Sequence, residues 1–135
     1  MLMQYLLDTC VVSDFIKNIG NTIEHVKKHN PLHLSISTIT LMEIEYGLEK
    51  LPSRAEKIRN IIYAFTSTIN IIPFDNEAVL NAAKIRAELS NKGTPIGAYD
   101  VLIAGVALAN DLVLVTANTK EFERIKDLKI ENWRL

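Results

Sequence analysis

Three carboxylates lie where ordinary surface acids are not expected. Asp8 directly follows a short apolar run that is typical of a buried strand. Glu43 lies on the apolar side of a helical pattern, and Asp100 is followed by nine positions without a polar side chain, residues 101–109. A carboxylate in such surroundings is partly desolvated, so it needs a cation, hydrogen-bond donors or a metal ion.

Each of these acids has a structural alternative. Asp8 can cap the helix that follows it, and for Asp8 alone this is the simpler explanation. Glu43 can pair with an arginine elsewhere in the core. Asp100 can complement the dipole of its helix, although the apolar character of that helix favours a functional role.

Two more oxygen-bearing side chains follow the most strand-like stretch of the chain, residues 112–116. Asn118 comes just after this stretch and Glu121 one helical turn later, and Asn118 also suits a turn or a cap. Oxygen ligands on separate elements, without a thiolate cluster, suit Mg²⁺ or Mn²⁺ better than Zn²⁺. We therefore expect an acidic, metal-binding pocket, whose substrate the spacing does not name.

Alternating strands and helices must position these residues. The apolar runs predict strands at 3–7, 34–37, 68–74, 112–116 and 128–130. Helices are predicted at 10–17, 21–29, 38–51, 53–65, 76–90, 97–110 and 119–125. The predicted helix caps are Asp8 or Thr9, Thr38 and Ser53. This order indicates an α/β domain in three layers, α/β/α, around a central, mainly parallel sheet of about four to five strands. Ligands bind beyond the carboxyl ends of such strands.

The composition is that of one globular domain, residues 1–135. With 48% apolar and 23% charged residues, it excludes a disordered tail and a disulfide-stabilised mini-protein. The single cysteine and the absence of an apolar stretch of the ~20 residues that span a bilayer lead us to expect a cytoplasmic protein without a membrane segment. The net charge of −1 argues against salt-driven coating of nucleic acid, but not against recognition of one RNA.

Several blocks of the sequence resemble a known family. They are residues 5–9 (YLLDT), 37–47 (STITLMEIEYG), 96–100 (IGAYD), 114–122 (LVTANTKEF) and 131–133 (ENW). In this order they resemble PIN domains, and the whole chain resembles the VapC-type ribonuclease toxins of bacterial toxin–antitoxin pairs. The blocks cover nearly the full length of the chain.

The resemblance implies a PIN-like fold and a metal-dependent endoribonuclease that inhibits translation and leaves 3′-hydroxyl and 5′-phosphate ends. Asp8, Glu43 and Asp100 would be the catalytic acids that bind Mg²⁺, for which Mn²⁺ can substitute. The fourth position of the family often holds an acid, whereas this chain has Asn118 there. Glu121 is a second candidate for the missing charge.

Residues beside the acids are expected to assist them. Thr9 and Thr116 would support the ligands, and Tyr46 and Tyr99 could stack an RNA base, although both are equally ordinary packing residues. Cys10 is interpreted as a small buried side chain and not as a nucleophile, because no base or cation that would lower its pKa is evident.

The resemblance also implies a substrate and partners. The blocks at 96–100 and 116–119 look like those of the branch that cuts initiator tRNA in its anticodon loop, so tRNA is the expected substrate. A cognate VapB-type antitoxin is the expected partner. The chain would form a homodimer within a larger complex that binds operator DNA through the antitoxin.

Two other functions stay open. A PIN-like module that has lost catalysis and only binds a partner is one, because Asn118 replaces an acid. A phospho-receiver module around Mg²⁺ is the other, but it needs paired acids after the first strand and an Asp–Lys pair later, which this chain lacks.

Overall fold

Five short parallel strands form the centre of the computed structural model, which describes residues 3–135. Met1 and Leu2 of the predicted domain lie outside the described residues. The strands are β1 (Tyr5–Leu7), β2 (Leu34–Ser37), β3 (Asn70–Ile72), β4 (Val113–Val115) and β5 (Ile130–Glu131). They lie in the order β3-β2-β1-β4-β5, and every neighbouring pair is parallel. The expected α/β class and parallel sheet are confirmed.

Helices cover both faces of this sheet. Over the described residues they are α1 (Thr9–Lys17), α2 (Thr22–Lys28), α3 (Thr38–Lys50), α4 (Pro52–Thr66), α5 (Asn76–Asn91), α6 (Ala98–Ala109) and α7 (Thr119–Phe122). Side chains alternate along a strand, so Leu6 packs toward α5 and α6 while Tyr5 and Leu7 pack toward α1 and α4. The result is three layers with an apolar core on each side of the sheet. No helix among residues 3–135 is long and apolar enough to cross a membrane.

The helix pair α5 and α6 is packed unusually closely. A Cβ atom on Gly105 of α6 would lie 2.8 Å from the Ala78 carbonyl oxygen and 2.9 Å from the Ala82 Cβ. One stripe of apolar side chains along α5 is buried in the same core as α6: Ala78, Ala82, Ile85 and Leu89. This close contact fixes α6, which carries Asp100 in its first turn.

Two of the predicted helix caps, Thr38 and Ser53, are wrong. Ser37, not Thr38, caps α3, because it ends β2 in an extended conformation and its Oγ accepts from the backbone N–H of Thr40 at 3.1 Å. Helix α4 begins at Pro52 and Ser53 lies within it, since the fixed φ of proline suits the first helical position.

Four strands differ from their predicted bounds. β1 and β4 are shorter than the predicted runs 3–7 and 112–116, and the other two are the third and the last strand. The third is Asn70–Ile72, shorter than residues 68–74, and the last is Ile130–Glu131, shifted from residues 128–130. Both lie at the edges of the sheet, where a strand has a single partner and the apolar pattern is weakest.

The C-terminal tail is joined to α1 by an ion pair. Arg134 donates from Nε and Nη2 to the two carboxylate oxygens of Asp14, at 2.7 and 2.9 Å. The Asp14 residue is only 2% exposed, so this bidentate pair satisfies a carboxylate that water does not reach.

Candidate active site

The candidate site lies at the carboxyl edge of the sheet, where β1 and β4 end side by side. Leu7 pairs with Val115, and the backbone N–H of Asp8 donates to the Val115 carbonyl at 3.1 Å. Asp8 and Thr116, the next residues of the two strands, are therefore neighbours. This is the position expected for a site in a parallel sheet.

The Asp8 carboxylate is buried and held in place, with only 4% of the residue exposed. Its Oδ1 accepts from the backbone N–H of Val11 at 3.0 Å and from the Cys10 thiol at 2.9 Å. Burial raises the pKa of Asp8, and hydrogen bonds from Cys10, Thr116 and Val11 oppose that rise. Asp8 therefore caps α1, as the structural alternative predicted.

Cys10 is a donor to Asp8 and not a nucleophile. Burial, followed by the charge of Asp8, raises the pKa of the thiol to about 12. A thiol with that pKa is protonated at neutral pH, which agrees with the interpretation made from the sequence.

Glu43 is half-buried and points its Oε1 at the Thr9 hydroxyl, which donates to it at 2.7 Å. The arginine partner that was an alternative is not found, since the ion pairs among residues 3–135 join Arg59 to Glu45 and Arg134 to Asp14. The helix face that carries Glu43 is more open than expected, because Tyr46 one turn later is 62% exposed. It forms one wall of a cleft.

Asp100 lies in the negative field of three other acids. Burial first, and then the charges of Asp8, Glu121 and Glu43, raise the pKa of Asp100 to about 6. The dipole at the start of α6 acts in the opposite direction, so burial and like-charge repulsion outweigh it. The structure thus brings the acids that the sequence singled out close enough to perturb one another.

The two candidates for the fourth position differ. The side chain of Asn118 is exposed and makes no capping hydrogen bond, and its backbone N–H donates to the Thr116 Oγ1 at 2.9 Å. Glu121 is half-buried and its charge contributes to the raised pKa of Asp100. Glu121, and not Asn118, therefore adds charge to the cluster.

The side chains of the site suit a hard divalent cation, because they supply carboxylate oxygens. The acids are Asp8, Glu43, Asp100 and Glu121, and none of them forms an ion pair among residues 3–135. In the part of the chain that is described, however, no three His, Cys, Asp or Glu side chains are already gathered around one point that could hold an ion. The residues fit such a cation in charge and chemistry, and side-chain rotation would have to accompany binding.

A cleft of about 530 Å³ opens beside Glu43, lined by Thr9, Met42, Glu43, Tyr46 and Tyr99. Tyr46 is 62% exposed and Tyr99 51% exposed. Two aromatic rings with free surface therefore flank Glu43, as the sequence predicted.

Two residues of this region were missed by the sequence analysis. Ser37 and Thr40 are fully buried, and the Thr40 Oγ1 lies 3.2 Å from the Thr9 Oγ1. The available signal was a serine cap followed by a threonine one helical turn before Glu43.

Comparisons with known proteins agree with this architecture. The model of the PIN domain family matches residues 5–128. The chain is 40% identical to the tRNA(fMet)-specific endonuclease VapC of Salmonella typhimurium, over 98% of this chain and 99% of that protein. It is 37% identical to the tRNA(fMet)-specific endonuclease VapC of Shigella flexneri, over 98% and 99% of the two chains.

A solved structure agrees as well. The crystal structure of DNA-bound VapBC from Salmonella typhimurium contains a chain that superposes with a TM-score of 0.89 at 40% identity, over 98% of this chain and 99% of that one. The fold is therefore the expected PIN-like α/β/α fold. This chain belongs to the PIN domain family and, within it, to the VapC ribonucleases.

Proposed function

We propose that this protein is a metal-dependent endoribonuclease, the toxin of a type II, VapBC-type toxin–antitoxin pair, which hydrolyses RNA and so inhibits translation. The observation that carries the proposal is that the charges of Asp8, Glu121 and Glu43 all act on Asp100, without a cation that pairs with any of these acids among residues 3–135. Burial and mutual repulsion raise the pKa of Asp100 to about 6. Bringing carboxylates together in this way is unfavourable unless a cation compensates them.

The proposed ligands are Asp8, Glu43 and Asp100, with Glu121 supplying further negative charge. When bound, Mg²⁺ or Mn²⁺ would supply positive charge for the scissile phosphate and make water a stronger nucleophile. The α1 cap orients Asp8, and Asp100 has to be ionised before it can act as a ligand. Thr116 assists by its hydrogen bond to Asp8, and Thr9 by its contact with Glu43.

We propose tRNA as the substrate and the anticodon loop of initiator tRNA as the target. The names of two relatives that are 37 and 40% identical to this chain support this proposal. The exposed rings of Tyr46 and Tyr99 provide surfaces on which unpaired bases of a loop would stack. The Lys50 Nζ lies 5.1 Å from the centre of the Tyr46 ring, which places a positive charge where RNA phosphates would pass.

The proposed partner is a VapB-type antitoxin encoded beside this chain. The similar solved structure from Salmonella typhimurium is a VapBC complex bound to DNA. By analogy, we propose that a homodimer of this chain joins a larger cytoplasmic complex that binds operator DNA through the antitoxin.

The test is cleavage of total bacterial tRNA by the purified, partner-free protein with Mn²⁺ or Mg²⁺. We expect discrete products with 3′-hydroxyl and 5′-phosphate ends, no cleavage in EDTA, and losses of roughly 100-fold or more in Asp8→Asn and Asp100→Asn. Asp111→Asn, an exposed aspartate outside the site, is the matched control and should keep full activity. Cleavage that persists in both site variants would refute these residues as ligands.

A PIN-like module that only binds a partner is the second candidate, and the exposed Asn118 at the usual acidic position favours it. The same assay separates the two functions. A protein that binds its antitoxin but cleaves no RNA with either metal would be such a module. Transcripts of initiator and elongator methionine tRNA, compared side by side, test the narrower substrate proposal.

A further inference from the structure

A row of three hydroxyl groups runs beneath the cleft and ends on Glu43. The Ser37 Oγ lies 3.4 Å from the Thr40 Oγ1, and the Thr40 Oγ1 lies 3.2 Å from the Thr9 Oγ1. The Thr9 hydroxyl donates to the Glu43 Oε1 at 2.7 Å. Ser37 and Thr40 are both 0% exposed, so no water competes for their hydroxyls.

The number of protons available determines which hydroxyl of this row donates and which accepts. Each hydroxyl carries one proton, and the proton of Thr9 goes to the Glu43 carboxylate, because that contact is short and charge-assisted. The Thr9 oxygen is then free to accept from the Thr40 hydroxyl. The Thr40 oxygen accepts from Ser37, whose own oxygen accepts from the Thr40 backbone N–H at 3.1 Å.

We propose that Thr40 is a positioning residue for the nuclease site, and this inference rests on the proposed function. Threonine has more than one accessible χ1 rotamer. The Thr40 hydroxyl selects the rotamer in which Thr9 donates to Glu43, and Thr9 then holds Glu43 facing the other acids. Thr40 itself touches neither metal nor RNA.

The competing explanation is that Thr40 only fills space under α3. The two explanations predict opposite orders for two substitutions. Valine keeps the shape of threonine and loses the hydroxyl, whereas serine keeps the hydroxyl and loses a methyl group. A packing role makes Thr40→Val the milder change, and a positioning role makes Thr40→Ser the milder change for metal binding.

The experiment measures Mn²⁺ affinity by isothermal titration calorimetry on the full chain, with RNA cleavage in parallel. We expect Thr40→Val to weaken Mn²⁺ binding about 3- to 10-fold, which is the effect of one net hydrogen bond. Thr40→Ser should bind Mn²⁺ like the wild type even though its melting temperature falls. Wild-type affinity in Thr40→Val would overturn the proposal.

A double-mutant cycle adds a second readout. Thr9→Val removes the next hydroxyl of the row, so the double variant with Thr40→Val should bind Mn²⁺ no more weakly than Thr9→Val alone. If the double variant instead loses Mn²⁺ affinity by the product of the two single-variant losses, Thr40 does not act through Thr9. Thr9→Val and Thr9→Ser also repeat the main comparison at a less buried position, should Thr40→Val fail to fold.

Crystal structures of the metal-free variants separate this inference from the proposed function. We expect Glu43 to leave the Thr9 hydroxyl in Thr40→Val and to keep it in Thr40→Ser. A wild type without Mn²⁺ binding or cleavage would contradict the nuclease, whereas an unmoved Glu43 in Thr40→Val would contradict the positioning role.

Discussion

Replacing Asp100 by asparagine should abolish cleavage and at the same time stabilise the metal-free protein. Burial and the charges of Asp8, Glu121 and Glu43 raise the pKa of Asp100 from 3.8 to about 6. A shift of this size corresponds to about 3 kcal/mol against the ionised form at neutral pH. Asp100 is half-buried, so solvent screening reduces the expected gain for Asp100→Asn to about 1–2 kcal/mol.

The pH dependence follows from the sign of the shift. Between pH 3.8 and 6 the folded state binds more protons at Asp100 than the unfolded state does, so this residue lowers the free energy of unfolding as the pH rises. The advantage of Asp100→Asn should therefore be full above about pH 6, shrink below it and vanish below pH 3.8.

Thermal unfolding in EDTA at pH 7.5 and pH 4.5 measures this gain. For a domain of this size we expect a melting temperature roughly 3–8 °C higher at pH 7.5, with a smaller difference at pH 4.5. Asp111→Asn is the control, because Asp111 is exposed and its φ of 50° suits asparagine as well as aspartate. An Asp100→Asn variant that is less stable than the wild type at pH 7.5 would show that Asp100 is not destabilised by its neighbours.

Two further predictions concern residues around the site. The pKa of Cys10 is raised to about 12, so iodoacetamide at pH 8 should alkylate the thiol of the native protein roughly 100-fold more slowly than that of the denatured protein. Equal alkylation rates would contradict this prediction. Cys10→Ser keeps a donor to Asp8 and should still cleave RNA. Arg134→Ala leaves the buried Asp14 without its partner, so urea unfolding should show a free energy of unfolding about 2–3 kcal/mol lower than that of the wild type. Arg54 is exposed, and Arg54→Ala should lower it by less than about 0.5 kcal/mol. Similar losses in both variants would mean that the ion pair contributes little to stability.

The layered fold and the meeting of the acids were predictable, because both follow from chain order. Apolar runs alternating with helices specify a parallel sheet, and a parallel sheet places the ends of β1 and β4 at one edge. Because β1 and β4 are adjacent in the observed strand order, Asp8 and Thr116, which follow them, are neighbours whatever their rotamers. The burial of the α5 stripe was predictable for the same reason, since helical periodicity alone determines which side chains share a face.

The partner of Glu43 was not predictable. Its contact with Thr9 joins residues 34 positions apart in the chain, and it depends on the relative position of α1 and α3 and on two side-chain rotamers, none of which a pattern of apolar residues encodes. The exposed Asn118 illustrates the same limit. Its place in the sequence predicts a possible ligand, but not that its backbone N–H donates to the Thr116 Oγ1 or that its side chain is exposed.

Capping and metal binding were treated as alternatives for Asp8, and the structure shows the cap, which does not exclude the proposed metal binding. The Val11 N–H and the Cys10 thiol both occupy Oδ1, and this fixes the carboxylate at the edge of the sheet, so the cap is what orients it. At Asp100, in contrast, the helix start does not determine the protonation of the carboxylate. Its place in the first turn of α6 favours a negative charge, yet its pKa rises. Repulsion and burial therefore exceed the helix dipole, and only a bound cation would reverse that balance.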